Sequence, residues 1–301
     1  MRLSIRNIPV VALLTVALVA GALSAACGGG DSGTETSNKV KVTTTLGLFG
    51  DLVRNVGGDR VQVSVLVPDG TDPHTYEPPP SQIAKLSQAK LMVMNGLDLE
   101  ASLEDVIREN VSSSATVLEL AAGLPTLEDN PHLWLDADNA ITYVERIRDA
   151  LASADPAGAG VYRANAESYL AELRTLDGEV TAAVESIPPD RRKLVTFHDA
   201  YPYLAQGYGL EMVGFVVESA GKEPSAQEIA DLTQAIDDED VPAVFTEPQF
   251  SARILELAAD DAGVEVCTLY SDAFTDEVKS YVDLMRFNAR ELVRCLGETG
   301  G

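Results

Sequence analysis

The sequence predicts an α/β protein of two lobes, each built on a parallel four-stranded sheet, joined by one long connecting helix. Three observations carry this reading. Apolar runs of four to eight residues alternate with longer amphipathic stretches, the pattern of strands crossed by helices and buried on both faces. Four such runs fall on either side of the midpoint. The midpoint itself is one extended stretch at helical spacing.

In chain order, residues 1–26 place Arg2 and Arg6 ahead of a long apolar stretch that ends in small residues. This is an export leader, set aside from the fold; left uncleaved, the same stretch would serve as a membrane anchor. Residues 27–38 begin at Cys27 and continue Gly/Ser/Thr-rich, too poor in apolar surface to fold, and are expected to be a flexible tether. Residues 39–158 form the first lobe, with strands at VKVTTT (40–45), VQVSVLV (61–67), LMVMN (91–95) and TVLEL (116–120). SQIAKLSQA (81–89) is helical, with Ser81 expected as its N-cap.

Residues 159–187 are the connecting helix. Val161, Tyr169, Leu173, Leu176, Val180 and Val184 recur at helical spacing, and Pro188 and Pro189 stop the run. About 28 residues at 1.5 Å each would span roughly 42 Å, enough to reach from lobe to lobe. Gly178 interrupts the pattern and argues against a single straight rod. Residues 188–301 form the second lobe, with strands at KLVTF (193–197), EMVGFVV (211–217), PAVFT (242–246) and VEVCTLY (264–270). Helices are expected at SAQEIADLTQAI, capped by Ser225, and at ARILELAADDAG (252–263). The run DDED, 237–240, is expected as a solvated acidic loop.

The formal charge is −25, and −27 once Arg2 and Arg6 leave with the leader. Such a surface repels nucleic acid and anionic lipid headgroups, and neither is an expected partner. Two cysteines remain after Cys27. Outside the cytoplasm Cys267 and Cys295 can form a disulfide; two buried free thiols are the competing reading.

Only three histidines occur in 301 residues. His74 lies in VPDGTDPHTYEPPP, His132 in DNPHLWLD and His198 in LVTFHDAYPYL. A single histidine of this kind is ordinarily a hydrogen-bonded loop or core residue. Three at junctions of strand and loop, with none elsewhere, point instead to metal ligation, for which imidazole is the commonest side chain. In open parallel sheets, ligands gather beyond the carboxyl ends of the strands. His198, Glu247 and Asp272 follow second-lobe strands, His74 follows a first-lobe strand at more distance, and His132 departs from the rule by standing just before a helix. Three imidazoles and the Asp272 carboxylate would complete a four-ligand site for a divalent metal in the cleft between the lobes. Glu247 is open to three readings: a further oxygen donor, an acceptor that orients a histidine N–H, or a salt-bridged strand-end carboxylate. Trp134 and Tyr201 are expected to pack rather than to ligate.

Five motifs carry a family resemblance: VPDGTDPHTYEPPPSQIAKLSQAKLMVMNGLDLE, NPHLWLD, FHDAYPYLAQGYGLEMVG, EPSAQEIADL and VFTEPQFS. In this order, between about Val40 and Leu296, they resemble the zinc- and manganese-binding solute-binding lipoproteins of ABC importers. The small residues before Cys27 likewise resemble a lipoprotein signal, with Ser24 where leucine is usual. The resemblance implies that His74, His132, His198 and Asp272 are the ligands, although the family pattern around the aspartate resembles LDPL and this chain has YSDAF. It also implies an extracytoplasmic, monomeric, membrane-anchored protein lipidated at Cys27 and docking on an ABC permease. A disulfide between Cys267 and Cys295 is similar to one in the zinc branch.

The third histidine separates the two branches. The manganese branch resembles a glutamate at that position, whereas His198 gives three nitrogens and one oxygen, a zinc-like set. ELAAGLPTLEDNPH lacks the His- and Asp-rich loop of many zinc members. Zinc is the expected cargo, with manganese the alternative; copper or nickel would rival zinc on affinity alone. A secreted zinc hydrolase is the alternative from another class, with Glu247 as its base, but neither HExxH nor a Ser or Cys nucleophile motif is present. Cell adhesion is a secondary role suggested by the resemblance alone.

Overall fold

The computed structural model describes residues 39–217, 225–251 and 253–297; the leader, the tether and Cys27 lie outside them. The first half runs β1 (Val40–Thr44), α1 (Gly47–Gly57), β2 (Val61–Val65), α2 (Pro80–Leu86), β3 (Leu91–Met94), α3 (Glu104–Asn110), β4 (Thr116–Glu119) and α4 (Ala137–Ala154). The long helix α5 (Ala159–Glu185) follows. The second half runs β5 (Lys193–His198), α6 (Pro202–Tyr208), β6 (Glu211–Val217), α7 (Ala226–Asp238), β7 (Ala243–Thr246), α8 (Arg253–Ala262), β8 (Glu265–Thr268) and α9 (Tyr281–Leu296).

Both sheets are parallel, with strand orders β2-β1-β3-β4 and β6-β5-β7-β8. The order is the same in each half, so each sheet has a switch point between its first and third strands, where a crevice opens at the strand ends. Near-continuous apolar runs such as LMVM suit strands covered on both faces.

The eight expected strands are present, but two details of the helices differ from expectation. Pro79 in extended conformation caps α2 and Pro80 is its first residue, which places Ser81 inside the first turn; a proline at this position has φ already set and lacks only an N–H that would be unpaired anyway. Asp237 and Asp238 close α7, and Glu239 follows as its C-cap, so the acidic run is half helical. Ser225 does cap α7, in a capping box with Glu228. Gly178 leaves α5 unbroken. It lies on the exposed face, while Tyr169, Leu173, Leu176, Val180 and Val184 keep the opposite face buried.

At 27 residues, α5 is about 40 Å long and packs on α1 and α4 on one side and α9 on the other. One apolar core therefore continues from the first sheet through α5 into α6 and α9 of the second half. A smaller core, including Val195, Val217, Leu232, Ile236, Val244 and Leu255, fills the opposite face of the second sheet under α7 and α8. Polar bonds also cross between the halves. The indole N–H of Trp134 donates to the Ser271 carbonyl at 2.7 Å, the Tyr281 hydroxyl donates to the Trp134 carbonyl at 2.8 Å, and the Tyr281 amide donates to Asp51 at 3.0 Å. Cys267 and Cys295 are disulfide-bonded, tying β8 to α9. Closing this 28-residue separation removes chain entropy equivalent to about 3.5 kcal/mol.

Candidate metal centre

Each switch point is occupied, and in a different way. At the first, the carboxylate of Glu100 accepts from Thr45 Oγ1 at 2.7 Å, from the Asn95 amide at 2.8 Å and from the Gly96 amide at 3.1 Å. Burial pushes this carboxyl up to about 7, against the pull of those three donors. Asn95 in turn donates through Nδ2 to the Pro131 carbonyl at 2.9 Å and accepts from the Tyr143 hydroxyl at 2.6 Å. The first switch point is thus a polar brace that fixes the segment just before His132. At the second, His198 ends β5 and Glu247 follows β7, with Nδ1 and Oε1 2.5 Å apart.

The four candidate ligands converge. His74, His132, His198 and Asp272 each bring one ligand atom into a group whose members all lie within 4.8 Å of one another. His132, His198 and Asp272 are buried and His74 is half-buried. His132 and His198 face each other through Nε2 at 3.3 Å. That separation matches the edge of a tetrahedron with metal–nitrogen bonds of about 2.0–2.1 Å, which is roughly 3.3 Å. His74 Nε2 and Asp272 Oδ2 are buried with no hydrogen-bond partner among the described residues. Orphaned buried polar atoms are costly unless something beyond the protein satisfies them, and a cation among three nitrogens and an oxygen would do so.

The far side of each group is held by protein. His132 Nδ1 lies 3.0 Å from Asn130 Oδ1, which also accepts the His132 amide at 3.1 Å. Asn130 is fixed by donating to the Asp199 carbonyl at 2.6 Å, and its own carbonyl accepts from the Tyr203 hydroxyl at 2.8 Å. With Nδ1 of His132 and His198 each facing an acceptor, their Nε2 lone pairs point to the centre. Both oxygens of Glu247 are engaged: Oε1 by His198, and Oε2 by the Ser271 hydroxyl and by Gln249 Nε2 at 3.1 Å. The loop carrying His74 is braced by Asp72, which accepts the His74 amide at 2.9 Å and the Thr75 hydroxyl at 2.6 Å. Trp134 is fully buried, edge-on to Phe49 and 5.3 Å from the His132 ring, and Tyr201 is likewise buried.

The electrostatics suit an exchange of protons for a cation. Burial, helped by the charge on His198, pulls His74 down to about 4. Burial and then the neighbouring His198 and His74 hold His132 well below its ordinary value. Burial also pulls on His198, but Glu247 against Nδ1, with Asp272 and Asp72 beyond, outweighs it and the ring ends raised. Burial and the charge of Glu247 push Asp272 up to about 8. A cavity of about 650 Å³ lined by His74, His132, Asn130, Asp98, Asp129 and Asp199 leads to the imidazoles, and its acidic wall attracts cations.

Residues 42–295 match the family described as zinc-uptake complex component A, periplasmic (ZnuA). The chain belongs to this family. It is 34% identical to the manganese-binding lipoprotein MntA of Halalkalibacterium halodurans, covering 94% of this chain and 97% of that one. It is 30% identical to the iron-binding protein YfeA of Yersinia pestis, covering 95% and 96%. Among solved structures, the periplasmic zinc-binding protein TroA of Treponema pallidum superposes with a TM-score of 0.82 at 28% identity, covering 86% of this chain and all of that one. Zinc-uptake family members are extracytoplasmic metal-binding components of ABC importers and not enzymes. This chain is such a component, with a His/Asp site compatible with zinc or manganese, and the hydrolase alternative falls away.

Asn130, Gln249, Asn95 and Glu100 were not singled out by the sequence. Two had a local signal: Asn130 precedes the Pro-His pair, and Gln249 follows Glu247 in EPQF. Asn95 and Glu100 had none: they bond each other within one loop, but Thr45, Pro131 and Tyr143, which complete the brace, come from other parts of the chain.

Proposed function

We propose that this chain captures zinc outside the cytoplasm on His74, His132, His198 and Asp272 and hands it to an ABC permease. The observation that carries the reading is the convergence of three imidazoles on one point shared with the partnerless Oδ2 of Asp272. Three nitrogens and one oxygen favour zinc, because manganese prefers more oxygen donors. Glu247 acts as the acceptor that orients His198 and adds a second negative charge next to the site. With Asp272 ionised, the two carboxylates balance a divalent cation.

Capture proceeds by exchange. The ion enters along the acidic cavity wall, Asp272 and His198 release their protons, and the four donor atoms close around the cation. The first lobe, residues 39–158, supplies His74 and His132; the second, residues 188–301, supplies His198 and Asp272; residues 159–187 join them. Residues 1–26 act as the leader and 27–38 as the tether. Lipidation of Cys27 holds a monomer at the membrane surface, where more than one acyl chain makes the anchorage stable.

The test is elemental analysis of protein purified without added metal, repeated on His198→Glu. Zinc is expected in the wild type and a shift toward manganese in the variant. Metal content indifferent to the substitution removes His198 from the ligand set, and manganese in the wild type replaces zinc by the alternative cargo.

A further inference from the structure

We infer that Gln249 is a specificity-determining residue: its amide engages one oxygen of Asp272, restricts that carboxylate to single-oxygen ligation, and so favours zinc over manganese. The inference rests on the reading of His74, His132, His198 and Asp272 as ligands. Gln249 stands just after β7, two residues beyond Glu247. Its Nε2 lies 3.0 Å from Asp272 Oδ1, 3.1 Å from Glu247 Oε2 and 3.2 Å from Ser271 Oγ. Its Oε1 is buried without a hydrogen-bond partner among the described residues.

The amide orientation follows from these neighbours. Three acceptors surround the nitrogen, and a flipped amide would press its carbonyl oxygen against two carboxylates. The side chain gives up a partner for Oε1 in order to keep N–H groups on Glu247 and Asp272. One amide therefore bridges two carboxyl groups and fixes both: Glu247, which holds His198, and Asp272 itself.

The two oxygens of Asp272 differ as a result. Oδ1 accepts from Gln249, while Oδ2 is buried and partnerless. An ion at the site meets one free oxygen and three nitrogens, the four-donor set that zinc takes. Two-oxygen ligation by Asp272 would cost the Gln249 bond, charge-assisted once the carboxylate is ionised, and leave the amide to Glu247 Oε2 and Ser271 Oγ, which already bond each other. Without the amide, Oδ1 is free to swing to the metal. The set then becomes five donors with more oxygen, which moves preference toward manganese.

The test compares the full chain with Gln249→Leu, which keeps the bulk and loses the donor. Cobalt(II) serves as a spectroscopic probe, because four-coordinate cobalt absorbs visible light far more strongly than five- or six-coordinate cobalt. Chelator competition gives the zinc and manganese affinities. The wild type is expected to show the strong four-coordinate bands and the variant to lose them. Zinc affinity should fall by about ten- to a hundredfold while manganese affinity holds or rises. An unchanged cobalt spectrum, or an equal fall for both metals, overturns the inference by reducing Gln249 to a packing role. A wild type that binds none of the three metals overturns the ligand reading itself. If the leucine variant does not fold, Gln249→Met, unbranched and of similar length, gives the same readouts.

Discussion

His198 draws together most of the chemistry of the cleft. Its Nδ1 lies against Glu247 and its Nε2 faces His132, so one ring meets a carboxylate on one edge and another imidazole on the other. Glu247→Gln keeps an acceptor for Nδ1–H but removes the charge. It is expected to lower zinc affinity by about tenfold or more, read by chelator competition; unaltered affinity would show that the charge is idle. Acidity acts on Asp272 and His198. Both are raised, Asp272 to about 8, and on the proposed reading each gives up a proton to the cation. Affinity should therefore climb with pH, by up to about tenfold per unit for each displaced proton, and lose the Asp272 contribution above about 8. In the metal-free protein a raised carboxyl contributes stability that is full below its unfolded value and fades as pH rises through the folded one. The melting temperature of wild type relative to Asp272→Asn should accordingly decline between about pH 4 and pH 8. A flat difference would mean that the carboxyl is not shifted. The histidines were readable from sequence because they are few and stand where strands become loops. Asn130 and Gln249 were not, because amides carry no mark of the partner they will orient; only the folded chain brings Gln249 onto Asp272, 23 residues away.

At the scale of elements, the two sheets share one strand order and use their switch points differently. The end of β5 delivers a histidine, whereas the ends of β1 and β3 close around the Glu100 carboxylate. The strands and their parallel pairing were legible because the apolar runs are short, β-branched and separated by amphipathic stretches. The division of labour between the switch points was not, since Thr45, Asn95 and Glu100 look like ordinary loop residues until the strands are side by side. Helix ends were readable only in part. Ser225 has a Glu three residues on and forms its capping box, while Ser81 lost its place to the preceding prolines. Gly178 in α5 invites a direct test. A methyl group added there meets nothing within 4 Å, so Gly178→Ala should stabilise the protein by about 0.5–1 kcal/mol through helix propensity alone. Chemical denaturation measures this, and a loss of stability would show that the helix needs the glycine's freedom.

For the whole molecule, the continuity of the core matters more than the division into lobes. The apolar cluster runs through α5 into the second half, and Trp134, Ser271, Tyr281 and Asp51 bond across. Wide hinge opening would expose that shared surface at about 25 cal/mol per Å². Small-angle scattering should therefore give indistinguishable profiles with and without metal. A clear contraction on loading would show that the halves separate despite their common core. Rearrangement is expected instead within the loops that carry His74 and Asp272, which can move without unpacking α5.

Trp134 is the lone indole of the sequence, wedged beside the His132 imidazole and bonded to the backbone next to Asp272. Its light emission is therefore a built-in gauge of occupancy. A titration followed by intrinsic fluorescence can read filling of the cleft on the unlabelled polypeptide, with a signal arising from a single known position.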